Sequence, residues 1–177
     1  MAKIIKTYRQ NIALLRFIGK KYDNADRTTG TFDVKQKWGE WFENGWFDTI
    51  EKRINGSLDD IYEDGDAYIG LLRNKSGEPY QYWIGMFTPE NTEDTGGYEV
   101  IDFPGGLYAV VNYADNDAEG AHKHIQKWVE ESGCFTPDDN ANRHFMWHFI
   151  STEAAKAAMG YYQYDFYFPI RIMEGTK

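Results

Sequence analysis

The order of apolar segments in this chain is repeated, and this repeat is the feature that most constrains the fold. A strand-like segment, a helix signal and two further strand-like segments occur in the first half and again in the second. The predicted elements are residues 12–17, a helix from Asp33, 67–72 and 80–87, then 107–113, a helix near Ala118, 145–150 and 161–172. We therefore predict an α+β fold, in which two pseudo-symmetric strand-helix-strand-strand repeats form an antiparallel sheet with a central cleft.

The chain length predicts one domain that is divided into two repeats. At 177 residues the chain is long enough to bury a hydrophobic core. Residues 89–97 are polar and end in Gly96 and Gly97, which is typical of a short linker. We therefore expect a single domain over residues 1–177, with repeat one at about 1–89 and repeat two at about 97–177.

Glycine-containing signals predict where the helices end. Asn44 and Gly45 should end the first helix, because both tolerate the left-handed conformation. A shorter helix is predicted at 46–54. The helix of the second repeat is predicted to span 118–132 and to end at Gly133.

The charge balance limits the kinds of partner. The formal net charge is −9 and the pI is about 4.9, so the chain repels phosphate backbones and we expect no direct nucleic-acid binding. A neutral or cationic partner fits better, with solubility alone as the alternative reason for the charge. Aromatic residues make up 17% of the chain, which predicts either a large aromatic core or rings that grip flat ligands.

Several kinds of site and location are excluded or left unsupported by the sequence. Cys134 is the single cysteine, so an internal disulfide and a thiolate metal cluster are excluded. His144 and His148 share a face of a predicted strand, whereas His122 and His124 do not share a helix face, and nothing selects a third metal ligand. We predict no metal and no cofactor. Without a signal peptide or a membrane-spanning apolar run, the expected location is the cytoplasm.

Five short motifs follow one another in the order of a known family. They are residues 41–48 (WFENGWFD), 82–86 (YWIGM), 97–110 (GYEVIDFPGGLYAV), 125–135 (IQKWVEESGCF) and 168–170 (FPI). Together they resemble the GyrI-like small-molecule-binding domain. This domain occurs as stand-alone proteins and as the effector-binding domain of AraC-type and BmrR-like regulators. The resemblance covers nearly the whole chain.

The resemblance implies a cleft that binds lipophilic cations between aromatic rings, with a buried carboxylate for the ligand's charge. The family's usual glutamate position falls here on Met146 or Trp147, and neither is acidic. Glu40, Glu43 and Asp165 are the candidates for a substitute acid, and the alternative is that no residue replaces it. A solvent-facing position is the alternative for Asp165, which alternates along its strand with aromatic residues.

Repeat symmetry places residues 67–70 and 146–149 opposite each other across the predicted cleft. Tyr68 and Trp147 should therefore face each other. The full set of predicted ligand-binding residues is Trp38, Trp41, Tyr68, Trp83, Tyr108, Trp147 and Phe149. A place in the hydrophobic core is the alternative for Trp38, Trp41 and Tyr108.

The function favoured by these features is that of a stand-alone binding protein for aromatic, amphipathic or cationic small molecules. One alternative is a hydrolase that uses Glu40 or Glu43 as a general base, which requires that glutamate to be buried. Another is a protein-binding modulator of the gyrase-inhibitor kind, and a protein partner or a homodimer is open. A DNA-binding regulator is not favoured, because the chain has no room for a helix-turn-helix domain.

Overall fold

The computed structural model describes residues 2–22, 34–54, 68–73, 81–93, 96–103, 105–114, 117–138, 145–149 and 153–173. Asp33 and His144 lie outside these residues. The elements are β1 (Lys3–Ile12), β2 (Leu15–Tyr22), α1 (Val34–Glu43), α2 (Trp46–Glu51), β3 (Tyr68–Arg73), β4 (Gln81–Thr88), β5 (Glu99–Phe103), β6 (Gly106–Ala114), α3 (Ala118–Ser132), β7 (Phe135–Pro137), β8 (Phe145–Phe149), α4 (Glu153–Met159) and β9 (Gln163–Ile172).

The strands form an antiparallel sheet with the order β1-β6-β9-β8-β3-β4-β2-β5, and the short β7 pairs with the end of β9. The units β2-α1-β3-β4 and β6-α3-β8-β9 reproduce the predicted order of elements, so the α+β fold class is confirmed. The units join at the ladder between β3 and β8, where Gly70 lies opposite Trp147.

The first predicted strand is wrong in its boundaries. Residues 12–17 contain the end of β1 at Ile12, a link at Ala13 and Leu14, and the start of β2 at Leu15. β1 itself was not predicted, because its exposed and half-buried residues alternate at the edge of the sheet without a continuous apolar run. β1 pairs with β6 and β5 pairs with β2, so each half adds its first strand to the other half.

The helix ends follow the predicted glycine signals. Gly45 has φ 63° after α1, and Gly133 has φ 64° after α3, which spans the predicted residues. The side chain of Asp117 accepts a hydrogen bond from the Gly120 amide at 2.8 Å and caps α3. α2 ends at Glu51, earlier than predicted, and a short α4 fills a segment for which no defined helix was predicted.

The repeat extends to residue identity at the positions of a cross-strand tyrosine pair, which was not predicted. Two residues link β1 to β2 and two link β5 to β6, so the first residues of β2 and β6 are equivalent. At the same distance along these strands stand Tyr22 and Tyr113. Tyr22 pairs across the ladder with Tyr82, and Tyr113 pairs with Tyr164. Each half therefore carries one cross-strand tyrosine pair at an equivalent place.

The helices α1, α2 and α3 lie on one face of the sheet. α1 and α2 pack on a cluster that includes Ile18, Ile84 and Met86, and α3 packs on a cluster that includes Val111 and Phe166. The ladders place Gly70, Trp147 and Phe166 opposite one another, so the two clusters share a face. We call it the helix-bearing face and call the opposite face the inner face.

The inner face carries a third cluster, which joins the two halves. Among the described residues, it has members from both halves and none from a helix. Consecutive ring contacts of 4.9–6.4 Å join the halves in the order Trp83, Phe17, Phe87, Phe103, Tyr108 and Tyr167. All six rings are at most 5% exposed. At the meeting point of the two strand links, a side chain on Gly105 would clash with the Ile12 carbonyl oxygen.

Candidate functional site

The two central strands, β3 and β8, run between the helices on the helix-bearing face. α1 is tied to β2 and β4 by hydrogen bonds, and α3 contacts β6 and β9. Leu72 of β3 packs against the clusters under both helices, yet it is only half-buried although its strand lies in the middle of the sheet. We call the strip between α1 and α3, floored by β3 and β8, the central groove. Since β3 and β8 are hydrogen-bonded to each other, this strip lies on the face of one sheet and not between two separate sheets.

An aromatic wall borders the central groove on the α1 side. The ring of Phe42 stacks on Trp38 with a centroid distance of 6.3 Å and meets Tyr68 edge-on at 5.5 Å. The Tyr68 hydroxyl donates to a carboxylate oxygen of Glu51 at 2.7 Å, which fixes the tyrosine ring. Phe42 is 44% exposed, so this wall presents ring surface to solvent. In the sequence, Phe42 follows the apolar spacing of a helix, and no sequence signal marks it as a site residue.

The groove floor beside this wall depends on a glycine. The Trp38 indole Nε1 donates to the Tyr82 hydroxyl at 2.8 Å. A Cβ on Gly70 would lie 2.5 Å from that hydroxyl and 3.3 Å from the Trp38 ring. Because Gly70 has no side chain, the Tyr82 hydroxyl and the Trp38 ring can lie close to β3.

The α3 side contributes the second tyrosine pair and a histidine. The rings of Tyr113 and Tyr164 stack at 5.5 Å, and the His122 ring lies 5.4 Å from Phe166. Burial raises the pKa of Tyr113 well above its ordinary value. The negative charges that neighbouring phenols and carboxylates can carry raise this pKa further, so the Tyr113 hydroxyl stays protonated. These neighbours are Tyr164, Asp165, Asp117 and Tyr82. Burial also lowers the pKa of His122, which favours the neutral imidazole.

The structure distributes the predicted ligand-binding rings over both faces of the sheet. Trp38 and Tyr68 border the central groove. Trp41 is fully buried beneath α1, where its Nε1 donates to the Tyr22 hydroxyl at 3.0 Å. Trp83 and Tyr108 lie in the inner-face cluster, 5% and 0% exposed. These five residues therefore do not line a single hollow.

Only backbone positions are described for Trp147 and Phe149. Trp147 lies in β8 opposite Gly70 and Phe166, and Phe149 lies opposite Tyr164. Both are therefore at positions of the helix-bearing face on the groove floor. Tyr68 and Trp147 lie on neighbouring, hydrogen-bonded strands of one ladder. They therefore do not face each other across a cleft, as the repeat symmetry led us to expect.

The acid candidates also differ in their surroundings. The Glu40 carboxylate accepts hydrogen bonds from Lys37 Nζ at 3.1 Å and from the Gln36 amide at 3.0 Å. Glu43 is exposed in the last turn of α1. Asp165 is fully buried, and Oδ1 accepts a hydrogen bond from Asn112 Nδ2 at 2.5 Å.

The solvent-facing alternative for Asp165 is therefore wrong. The ladders place Asp165 level with Ile69, which belongs to the inner-face cluster. Tyr167, two residues further along β9, lies on the same face and belongs to the same cluster. The Asp165 carboxylate thus belongs to the inner face, behind the groove floor. Strand alternation was predicted correctly, but alternation alone does not tell which of the two faces is buried.

A separate polar depression of about 400 Å³ lies at the end of α2, away from the residues selected from sequence. Its lining consists of Lys52, Arg53, Pro89, Asn91, Thr92 and Glu93. None of these is aromatic, so the depression offers no ring surface for a flat apolar ligand. We therefore place the candidate site in the central groove, where the rings converge.

The part of the chain that the structure describes has neither a metal-binding cluster nor a membrane-spanning helix. No group of three or more His, Cys, Asp or Glu residues there is arranged to hold a metal ion. No helix there has both the length and the apolar character needed to cross a membrane.

Comparison with known proteins gives one family and a set of similar folds. The family model described as an integron-associated effector binding protein matches residues 12–170. No curated protein sequence matches the chain.

Three solved structures illustrate the similarity of fold. SAV2435 bound to tetraphenylphosphonium shares 17% identity over 94% of each chain, with a TM-score of 0.63. The C-terminal domain of EcmrR shares 12% identity over 95% of this chain and 98% of that one, with a TM-score of 0.62. An integron cassette protein of Vibrio cholerae shares 11% identity over 96% and 99%, with a TM-score of 0.50. At these identities the likeness concerns the fold alone.

Proposed function

The chain belongs to the Cass2 family of integron-associated effector binding proteins, and from this premise we propose that it binds aromatic, amphipathic small molecules, cations included, in the central groove. The observation that carries the proposal is the half-buried Leu72 between two helix–sheet cores, on the strand whose Tyr68 contacts the exposed ring of Phe42. Small molecules commonly bind at exposed apolar surface that is bordered by aromatic rings. The centre of this sheet face offers such a surface.

The chemistry of the groove suits a flat or multi-ring ligand. Trp38, Phe42 and Tyr68 offer ring faces and edges on one side, and Tyr164 offers a half-buried ring on the other. A delocalised cation over such rings gains about 0.5–2 kcal/mol from each favourable contact, depending on desolvation. The net charge of −9 adds a long-range attraction for cations. Because Asp165 lies on the inner face, we assign the recognition of charge to ring faces and not to this carboxylate.

Tetraphenylphosphonium is the natural first probe. It is the molecule bound in the SAV2435 structure, which is similar to this chain in fold. As a lipophilic cation surrounded by phenyl rings, it has the shape and charge that the aromatic wall would accept. A protein partner or a homodimer stays a prediction from the sequence.

The hydrolase alternative has less support. It requires a buried glutamate on α1, but Glu40 forms an ion pair with Lys37 at 3.1 Å and Glu43 is exposed. An ion-paired or solvated carboxylate lacks the burial that would tune it as a general base. We therefore propose binding without turnover as the function of the groove.

The experiment is a calorimetric titration of the protein with tetraphenylphosphonium. Phe42→Ala should weaken binding about fivefold to tenfold, because it removes the most exposed ring of the wall. Leu14→Ala is the matched control, since Leu14 is 53% exposed in the link between β1 and β2. It should leave the affinity unchanged. Wild-type protein that does not bind lipophilic cations, or equal affinities for Phe42→Ala and wild type, would contradict the proposal.

A further inference from the structure

One hydroxyl group beside the central groove has an unusual environment. The side chain of Tyr113 is fully buried, and within the described part of the chain its hydroxyl has no hydrogen-bond partner. Buried polar groups in folded proteins are nearly always hydrogen-bonded, because leaving one unsatisfied is costly. This residue therefore needs an explanation beyond packing.

The equivalent tyrosine of the first half is satisfied. The Tyr22 hydroxyl accepts a hydrogen bond from Trp41 Nε1 at 3.0 Å, and its cross-strand neighbour Tyr82 accepts one from Trp38 Nε1 at 2.8 Å. Both donors come from α1. In the second half, the buried residues of α3 are Ala121, Ile125 and Val129, which carry no polar side-chain atom. The same tyrosine pair is thus covered by indole donors in one half and by aliphatic groups in the other.

Tyr113 lies beside the groove. Its ring stacks on Tyr164, which is half-buried, so the outer member of this tyrosine pair is partly exposed to solvent. The ladders place Tyr164 opposite Phe149 of β8, so the Tyr113–Tyr164 pair borders the groove floor on the β9 side. Tyr82, whose hydroxyl lies over Gly70, borders the floor on the β4 side.

We propose that the Tyr113 hydroxyl is the polar anchor of the central groove and donates a hydrogen bond to an acceptor atom of the bound molecule. The ligand class is then an aromatic molecule that carries a carbonyl, ether or ring-nitrogen acceptor beside its rings. This inference rests on the proposed function and adds a requirement for the ligand's polar group. In the ligand-free protein the Tyr113 hydroxyl is buried beside α3 and Tyr164, without a hydrogen-bond partner among the described residues. The bound ligand would supply the acceptor that the folded chain does not provide.

Two probes separate this inference from the proposed function. Tetraphenylphosphonium has no hydrogen-bond acceptor, whereas rhodamine 6G is a lipophilic cation with an ester carbonyl and a ring ether. In Tyr113→Phe, the affinity for rhodamine 6G should fall about tenfold, and the affinity for tetraphenylphosphonium should stay unchanged. The midpoint of urea unfolding of this variant should be unchanged or higher, because it loses an unsatisfied buried hydroxyl.

Tyr22→Phe is the symmetry-matched control. It removes a hydroxyl that accepts a hydrogen bond from Trp41, so its urea midpoint should fall while both affinities stay at the wild-type value. An unchanged ratio of the two affinities in Tyr113→Phe would overturn the inference and leave the proposed function standing. A fall in the midpoint as large as that of Tyr22→Phe would overturn it too, because it would show a structural partner. If the wild type bound neither probe, the proposed function would fail first.

Discussion

The Tyr82 hydroxyl occupies the space that a side chain on Gly70 would need. A Cβ at position 70 would lie only 2.5 Å from that oxygen, although Gly70 itself has an ordinary backbone conformation. The glycine is therefore required by the close approach of the Tyr82 hydroxyl and the Trp38 ring, which meet in a hydrogen bond above it. This contact connects β3, β4 and α1 at one bank of the central groove.

Gly70→Ala should displace the Tyr82 hydroxyl and weaken its hydrogen bond to Trp38. We expect a loss of about 1–3 kcal/mol in the free energy of unfolding, typical of an overpacked site, measured by urea denaturation. Gly39→Ala is the control, because a Cβ there meets nothing within 4 Å and the residue is inside α1. It should stabilise the protein by roughly 0.5–1 kcal/mol. Equal effects of the two substitutions would show that Gly70 has no packing role.

Asn112 should be essential for the buried carboxylate on the inner face. Asn112→Ala removes the donor to Asp165 Oδ1 and leaves a buried acid without that hydrogen bond. We expect the free energy of unfolding to fall by about 3 kcal/mol. The comparison is Asp102→Asn, which breaks a pair with Arg16 in which the Asp102 side chain is 69% exposed, and which should cost less than about 1 kcal/mol. A similar loss in both variants would be evidence against a structural role for the Asn112–Asp165 pair.

His122 should make the protein less stable in acid. Burial lowers the pKa of the folded imidazole below 6.5, so at lower pH the unfolded chain takes up a proton that the folded chain does not. The stability from this residue is fully present above pH 6.5 and decreases as the pH falls towards the folded pKa. Urea unfolding at about pH 7.5 and about pH 5.5 should show a smaller decrease for His122→Gln than for wild type. His124→Gln serves as the control, and a wild-type pH dependence in His122→Gln would refute the assignment.

The order of elements was predictable because apolar periodicity and glycine stop signals are local properties. α3 and the ends of both main helices follow from such signals at Gly45 and Gly133. The edge strand β1 was missed, because half of its surface faces solvent and its charged residues hide the pattern. Its pairing with β6 of the other half depends on long-range contacts that no local signal carries.

The candidate site was predictable only in its residue types. Aromatic enrichment selected Trp38 and Tyr68, which border the proposed groove, but it equally selected Trp83 and Tyr108, which fill the inner face. Residues on one strand alternate between faces, and the sequence does not tell which face carries the helices until the ladders are known. The equivalence of Tyr113 with Tyr22 likewise appears only when the strand links are aligned in the structure.

The most direct test of the central groove is a titration of ¹⁵N-labelled protein with tetraphenylphosphonium, followed through the indole N–H resonances. Trp38 borders the groove, whereas Trp83 lies on the inner face and Trp128 stacks on Phe135 under α3. We predict a saturable shift of the Trp38 resonance with little change at Trp83 and Trp128. A saturable shift at Trp83 with Trp38 unmoved would place the ligand on the inner face and contradict binding in the central groove.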